Sequence, residues 1–159
     1  MATSRYPSLL QINTRVWLTE HARRLGRRVT LDDITHHQLD RLARAGFDWI
    51  WLLSVWQTGA AGQRVSRESA EWRRDFQQTL SDLREEDIGG SGFAISGYTV
   101  HSGLGGDGAL ARFRSRLRVR GLRLMLDFVP NHTALDHPWV DSRPELFVHG
   151  SEADLVREP

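Results

Sequence analysis

Residues 121–140 read GLRLMLDFVPNHTALDHPWV, and the parsing of this stretch decides the fold. Residues 122–129 alternate and then fill with apolar side chains, the pattern of a strand buried on both faces. Pro130 stops that strand, because proline has no N–H for a ladder and biases the preceding residue away from helix. A polar cluster follows at once: Asn131, His132 and Thr133, with Asp136 and His137 just beyond. Parallel α/β folds build their sites in this way, on polar groups delivered at the carboxyl end of a buried strand.

Working back from this strand, Gly121 terminates a helix predicted over residues 109–120, with Leu110, Phe113 and Leu117 on its core face. Its arginines, Arg112, Arg114, Arg116 and Arg118, point mostly elsewhere and form a solvated basic surface. Residues 103–108, GLGGDG, lack the lysine and spacing of a phosphate loop and read as the turn into that helix. Further back, residues 47–53 (FDWIWLL) form a second apolar strand. It is preceded by a helix that opens on a capping box at Thr30 and Asp33 and ends at Gly46. His36 and His37 lie side by side on that helix and lack the i, i+4 spacing of a metal pair, so they read as surface residues. Residues 9–18 (LLQINTRVWL) mix β-formers with alternating polar positions and are expected to be a strand, followed by a basic turn with Arg23, Arg24, Arg27 and Arg28 around Gly26.

Between the second strand and residue 87 an inserted helix is expected, with Trp72, Phe76, Leu80 and Leu83 on one face, either shaping a cleft or serving as scaffold. Residues 88–93 form a flexible, glycine-punctuated run. Helices alternating with apolar strands predict an α/β protein with a parallel sheet.

The chain has 159 residues, a net charge of +1 and no cysteine. Near-neutral charge argues against a nucleic-acid partner, and the missing cysteines exclude disulfides and thiolate chemistry. All 21 basic residues are arginine; wholesale loss of lysine reads as base composition rather than function. Neither a secretion signal nor a membrane span is legible, so the expectation is a soluble, cytoplasmic protein without a membrane partner.

The hexamer DFVPNH, with its glycine and helix before and HPW after, resembles the first signature region of glycoside hydrolase family 13, the α-amylase family. INTRVWL and GFDWIWLLSVW are similar to its first and second barrel strands, residues 91–100 to its GYxIxxY segment, and LGG to its turn into the next helix. The resemblance implies a partial (β/α)8 TIM barrel, about its first three strands, with a loop-inserted helix. A complete barrel needs about 250 residues. Residues 1–133 would be the partial catalytic barrel, and residues 134–159 the start of the excursion after the third strand.

By the same resemblance Tyr98 stacks on a sugar ring and His132 donates to a sugar hydroxyl at the cleavage subsite. Asp127 is structural at the site. Asn131 matches a calcium ligand of calcium-dependent amylases, although no cofactor is expected for this chain. Many relatives carry an acidic residue just before the tyrosine and some carry another near the start of the segment; here those positions are Gly97 and Ala94. Tyr98 also reads simply as a loop residue, and Trp49, Trp51 and Trp56 read either as core or as a sugar platform.

The family's nucleophile and general acid come from later strands, so no catalytic residue is assigned. A retaining glycosidase needs two carboxyl groups about 5 Å apart, and Glu145 and Glu152 lie in loop text with no strand to aim them. Three readings stay open: a fragment of an enzyme acting on α-glucosidic bonds of an α-glucan or small α-glucoside, inactive alone; a non-catalytic carbohydrate-binding or assembly protein on the same scaffold; and an unrelated small α/β domain. A missing barrel half, or self-association, would cover the exposed sheet.

Overall fold

The computed structural model describes residues 6–157. The beginning of the amino-terminal stretch read for a secretion signal, and Pro159, lie outside the described residues.

Strand β1, Leu9–Asn13, is shorter than the sequence suggests. The Asn13 side chain accepts a hydrogen bond from the Val16 amide at 3.2 Å and caps helix α1, Thr14–Leu25. Residues 14–18, expected to extend the strand, therefore begin a helix, because an asparagine at the N-cap satisfies an otherwise orphaned donor. Arg23 and Arg24 are in the last turn of α1 rather than in a loop, where their charge suits the negative end of the helix dipole. Gly26, at φ 65°, closes the helix in the left-handed region.

The Thr30–Asp33 capping box forms, but on a short 3-10 turn. A second box, Thr35 with Gln38, starts helix α2, His36–Arg44. Strand β2, Trp49–Leu53, follows a left-handed Gly46 at φ 84°. β1 and β2 are parallel in the register Leu9↔Trp49 through Asn13↔Leu53. Helix α5, Gly106–Arg118, leads to strand β5, Arg123–Leu126, which pairs parallel with the other side of β2. The sheet order is thus β1-β2-β5.

One face of this sheet is dry. Ile50 and Leu52 are fully buried among Leu18, Leu39, Phe113 and Leu117, and Leu10, Ile12, Leu124 and Leu126 pack against the same cluster. Full burial of a side chain such as Ile50 or Leu52 stabilises the fold by about 1.5–3 kcal/mol. The other face is open: Leu9 and Met125 are exposed, and the Arg123 guanidinium lies 5.3 Å from the Trp49 ring centroid.

Between β2 and β5 the chain adds more than one inserted helix. Strand β3, Trp56–Thr58, pairs antiparallel with strand β4, Ile95–Val100, and helices α3, Ala60–Glu68, and α4, Ala70–Thr79, lie between them. The expected single helix divides at Ser69, which leaves helical geometry and caps α4 by accepting from the Trp72 amide. Leu80 and Leu83 fall beyond the end of α4. After β5 the chain turns back, with the Ala134 amide donating to the Ile95 carbonyl at 2.9 Å, and ends in short helices α6, Pro138–Ser142, and α7, Glu152–Arg157.

Candidate functional site

The carboxyl ends of β2 and β5 converge on Asp127, which is 8% exposed. Its Oδ1 accepts from the Trp51 indole N–H at 2.8 Å, and its Oδ2 from the Ser54 amide at 2.6 Å. Its main-chain carbonyl accepts from the Trp56 indole at 2.9 Å. The two bonds to the carboxylate are charge-assisted and stronger than neutral ones, so Trp51 and the turn after β2 are fixed on the carboxylate, while Trp56 is held by the main-chain carbonyl of the same residue. Trp51 and Trp56 are half-buried and their indole donors are occupied.

Tyr98, on β4, joins this group from the hairpin. Its hydroxyl donates to the Val129 carbonyl at 3.1 Å and accepts from the Val129 amide at 2.8 Å. Its ring meets Trp56 edge-on at 5.2 Å and lies 5.9 Å from Phe128. Tyr98 nevertheless remains 48% exposed, so one aromatic surface is held rigidly while part of it faces solvent. His132 and Asn131, past Pro130, are exposed, and no hydrogen bond within the described residues holds either side chain.

The site has a second rim. Asp136 Oδ2 accepts from the Ala61 amide at 3.0 Å, at the start of α3. That bond first, then its own and the Ala60 amides and the charge of Arg64, holds its carboxyl below the usual carboxylate range. Gly59 is required at this contact, since a Cβ there would lie 1.7 Å from Asp136 Oδ1 and 2.9 Å from the Ala134 Cβ.

Among the described residues no group of three or more histidine, aspartate or glutamate side chains gathers to hold a metal. A separate concavity of about 560 Å³ is lined by Trp72, Phe76, Leu80, Leu83 and Ile88. It shares no residue with the Tyr98–Asp127–His132 region.

Sequence reasoning missed two participants. Arg15, in the first turn of α1, reaches the Ser54 and Trp56 carbonyls and the Thr58 hydroxyl. Ser54 itself sits at φ 63°. An asparagine followed by helical spacing of Thr14, Trp17, Leu18 and His21 was the available signal for placing Arg15 on a helix.

A parallel sheet with helices packed on one face and its polar groups gathered at the strands' carboxyl ends defines a site-bearing α/β protein. The chain belongs to the α-amylase catalytic-domain family, whose sequence profile matches residues 21–148. It is 29% identical, over 136 residues, to the α-1,4-glucan:maltose-1-phosphate maltosyltransferase of Salinibacter ruber, covering 79% of this chain and 18% of that protein. Its fold is similar to that of an α-amylase from Lactobacillus plantarum, with a TM-score of 0.61 at 21% identity, covering 91% of this chain and 27% of the other. An inactive variant of MutB in complex with isomaltulose is also similar, with a TM-score of 0.50 at 20% identity over 84% of this chain and 18% of MutB. The chain thus spans less than a third of the length of each of these proteins.

Proposed function

We propose that the chain supplies the sugar-stacking edge of an α-amylase-family glycoside hydrolase or transglycosylase acting on α-glucosidic bonds, and corresponds to about the first three strands of its barrel. The observation that carries this reading is the immobilised, half-exposed Tyr98, bonded through its hydroxyl to Val129 immediately before the Pro130-Asn131-His132 turn. A fixed aromatic face packs on the apolar face of a pyranose with little loss of side-chain entropy, and the exposed His132 is available to donate to a sugar hydroxyl. The maltosyltransferase relative acts, by its name, on an α-1,4-glucan and maltose 1-phosphate, which supports an α-glucoside as the ligand class.

Hydrolysis by this chain alone is not part of the reading. Both carboxylate oxygens of Asp127 are engaged by donors, and a retaining mechanism needs a second carboxyl about 5 Å from the nucleophile. The expected behaviour is binding without turnover. Titration of the chain with maltotriose, followed by tryptophan fluorescence, should give a saturable change that is lost in Tyr98→Ala. Release of reducing sugar by the isolated chain would overturn the non-catalytic assignment, and no binding by the wild type would overturn the sugar-edge assignment.

A further inference from the structure

Ser54 is the one non-glycine residue with a positive φ, 63°, among the described residues. A side chain in the left-handed region is disfavoured and persists where its surroundings hold it. Here the surroundings are two opposite charges. The buried carboxylate of Asp127 takes the Ser54 N–H at 2.6 Å, and Arg15 Nε donates to the Ser54 carbonyl at 3.3 Å. Fixing both the amide before the Cα and the carbonyl after it restrains both dihedrals of the residue between them.

Arg15 does more than this. Its Nη2 donates to the Trp56 carbonyl at 3.4 Å and to the Thr58 hydroxyl at 3.2 Å, at the two ends of β3. The half-buried guanidinium forms no ion pair with any described carboxylate, and burial pulls its pKa down from the usual arginine value. Its donors are turned to the protein's own acceptors. β3 in turn carries β4 through the pairs Trp56↔Val100, Gln57↔Gly97 and Thr58↔Ile95, and the His101 amide donates to the Val55 carbonyl at 2.8 Å.

We infer that Arg15 is a positioning residue: it clamps the left-handed turn at Ser54 and, through the β3–β4 hairpin, fixes the seat of Tyr98. The importance of that seat for sugar rests on the function proposed above. The clamp itself does not.

Amide hydrogen exchange on the full chain, without sugar, tests the clamp. Arg15→Met should speed exchange of the Ser54 and Val129 amides about tenfold, while Ile50 and Leu52 stay within about twofold of wild type. Arg15→Lys keeps the charge but not the fork, and should leave most of that increase in place. Adding Ser54→Gly to Arg15→Met should bring the Val129 rate back to within about threefold of wild type, because glycine holds the left-handed turn unaided. A merely structural role for Arg15 would not be relieved by a glycine at position 54. Should Arg15→Met fail to fold, Thr58→Val removes a single acceptor and should give a smaller rise at the same amides. Unchanged rates at Ser54 and Val129, an equal rise at every amide, or no relief by Ser54→Gly would overturn the inference. Failure of maltotriose to bind wild type would remove the sugar reading and leave this one standing.

Discussion

A carboxylate whose oxygens already accept from an indole and a main-chain amide is poorly placed to attack an anomeric carbon. Asp127 is in that position, with Trp51 and Ser54 as its donors. Its charge is spent on holding the turn after β2 and the Trp51 indole. Asp127→Asn makes this quantitative. The amide keeps one acceptor but turns an NH2 toward the other donor, so one buried N–H loses its partner. The expected cost is about 2 kcal/mol, in the range for losing a charge-assisted bond and stranding its donor. Urea unfolding followed by tryptophan fluorescence would measure it. A change below about 0.5 kcal/mol would fall within the scatter of ordinary surface substitutions, and would show that Asp127 does not organise the site. The position of Asp127 was legible from the DFVPNH hexamer, and that of Tyr98 from residues 91–100. The partner set of Asp127 was not, because indole and amide donors leave no charge pattern in the sequence. Nor did Ser54 announce its left-handed backbone, since serine lacks the glycine signal that usually marks one.

At the scale of elements, short-range signals read well and pairing between distant segments read poorly. The helix ends at Gly46 and Gly121 carry positive φ, as their place after an apolar-periodic run requires, whereas Gly26, read as part of a basic turn after a strand, closes a helix instead. The Thr30 box also formed, but Thr35 and Gln38 offer a second box a few residues on, and the longer helix starts there. The β3–β4 hairpin was hidden because its strands are separated by two helices, and local pattern does not specify a partner so far away. The docking of residues 134–136 on α3 was hidden for the same reason, and it has a pH signature. The Ala61 amide, as the largest influence, holds the Asp136 carboxyl below its ordinary value. A depressed carboxylate contributes its stabilisation fully above its unfolded pKa, about 3.9, and loses it as pH falls through the lower folded value. Docking should therefore be unchanged from neutral pH down to about pH 5 and released only in acid. The Ala61 amide chemical shift reports it directly, and its acid transition should vanish in Asp136→Asn. A midpoint at or above the ordinary aspartate value would contradict this account.

For the molecule as a whole, the sheet raises a question that the helices do not answer. Parallel sheets are normally covered on both faces, yet only the face bearing Ile50 and Leu52 is packed. On the other, Leu9 is 40% and Met125 36% exposed, and Trp49 is shielded only in part, by Arg123. Among the described residues both outer strands, β1 and β5, also present unpaired edges. A groove of about 510 Å³, lined by Leu110, Leu124, Leu126 and Trp56, runs beside α5 and adds apolar surface. Uncovered edges and apolar patches of this kind favour association over a solvated monomer. The isolated chain is therefore expected to self-associate or to unfold readily, with a thermal transition that rises with protein concentration as mass action requires. Sedimentation velocity across a concentration series, paired with thermal unfolding at the same concentrations, separates the outcomes. Growth of the sedimenting species together with a rising Tm would place the contacts across the open sheet, and charged substitutions at Leu9 and Met125 should then return the chain to a monomer. A sharp, concentration-independent transition from a monomer would mean that Trp49, Arg123 and Asp127 close this face well enough unaided, and that the three parallel strands are a sufficient unit.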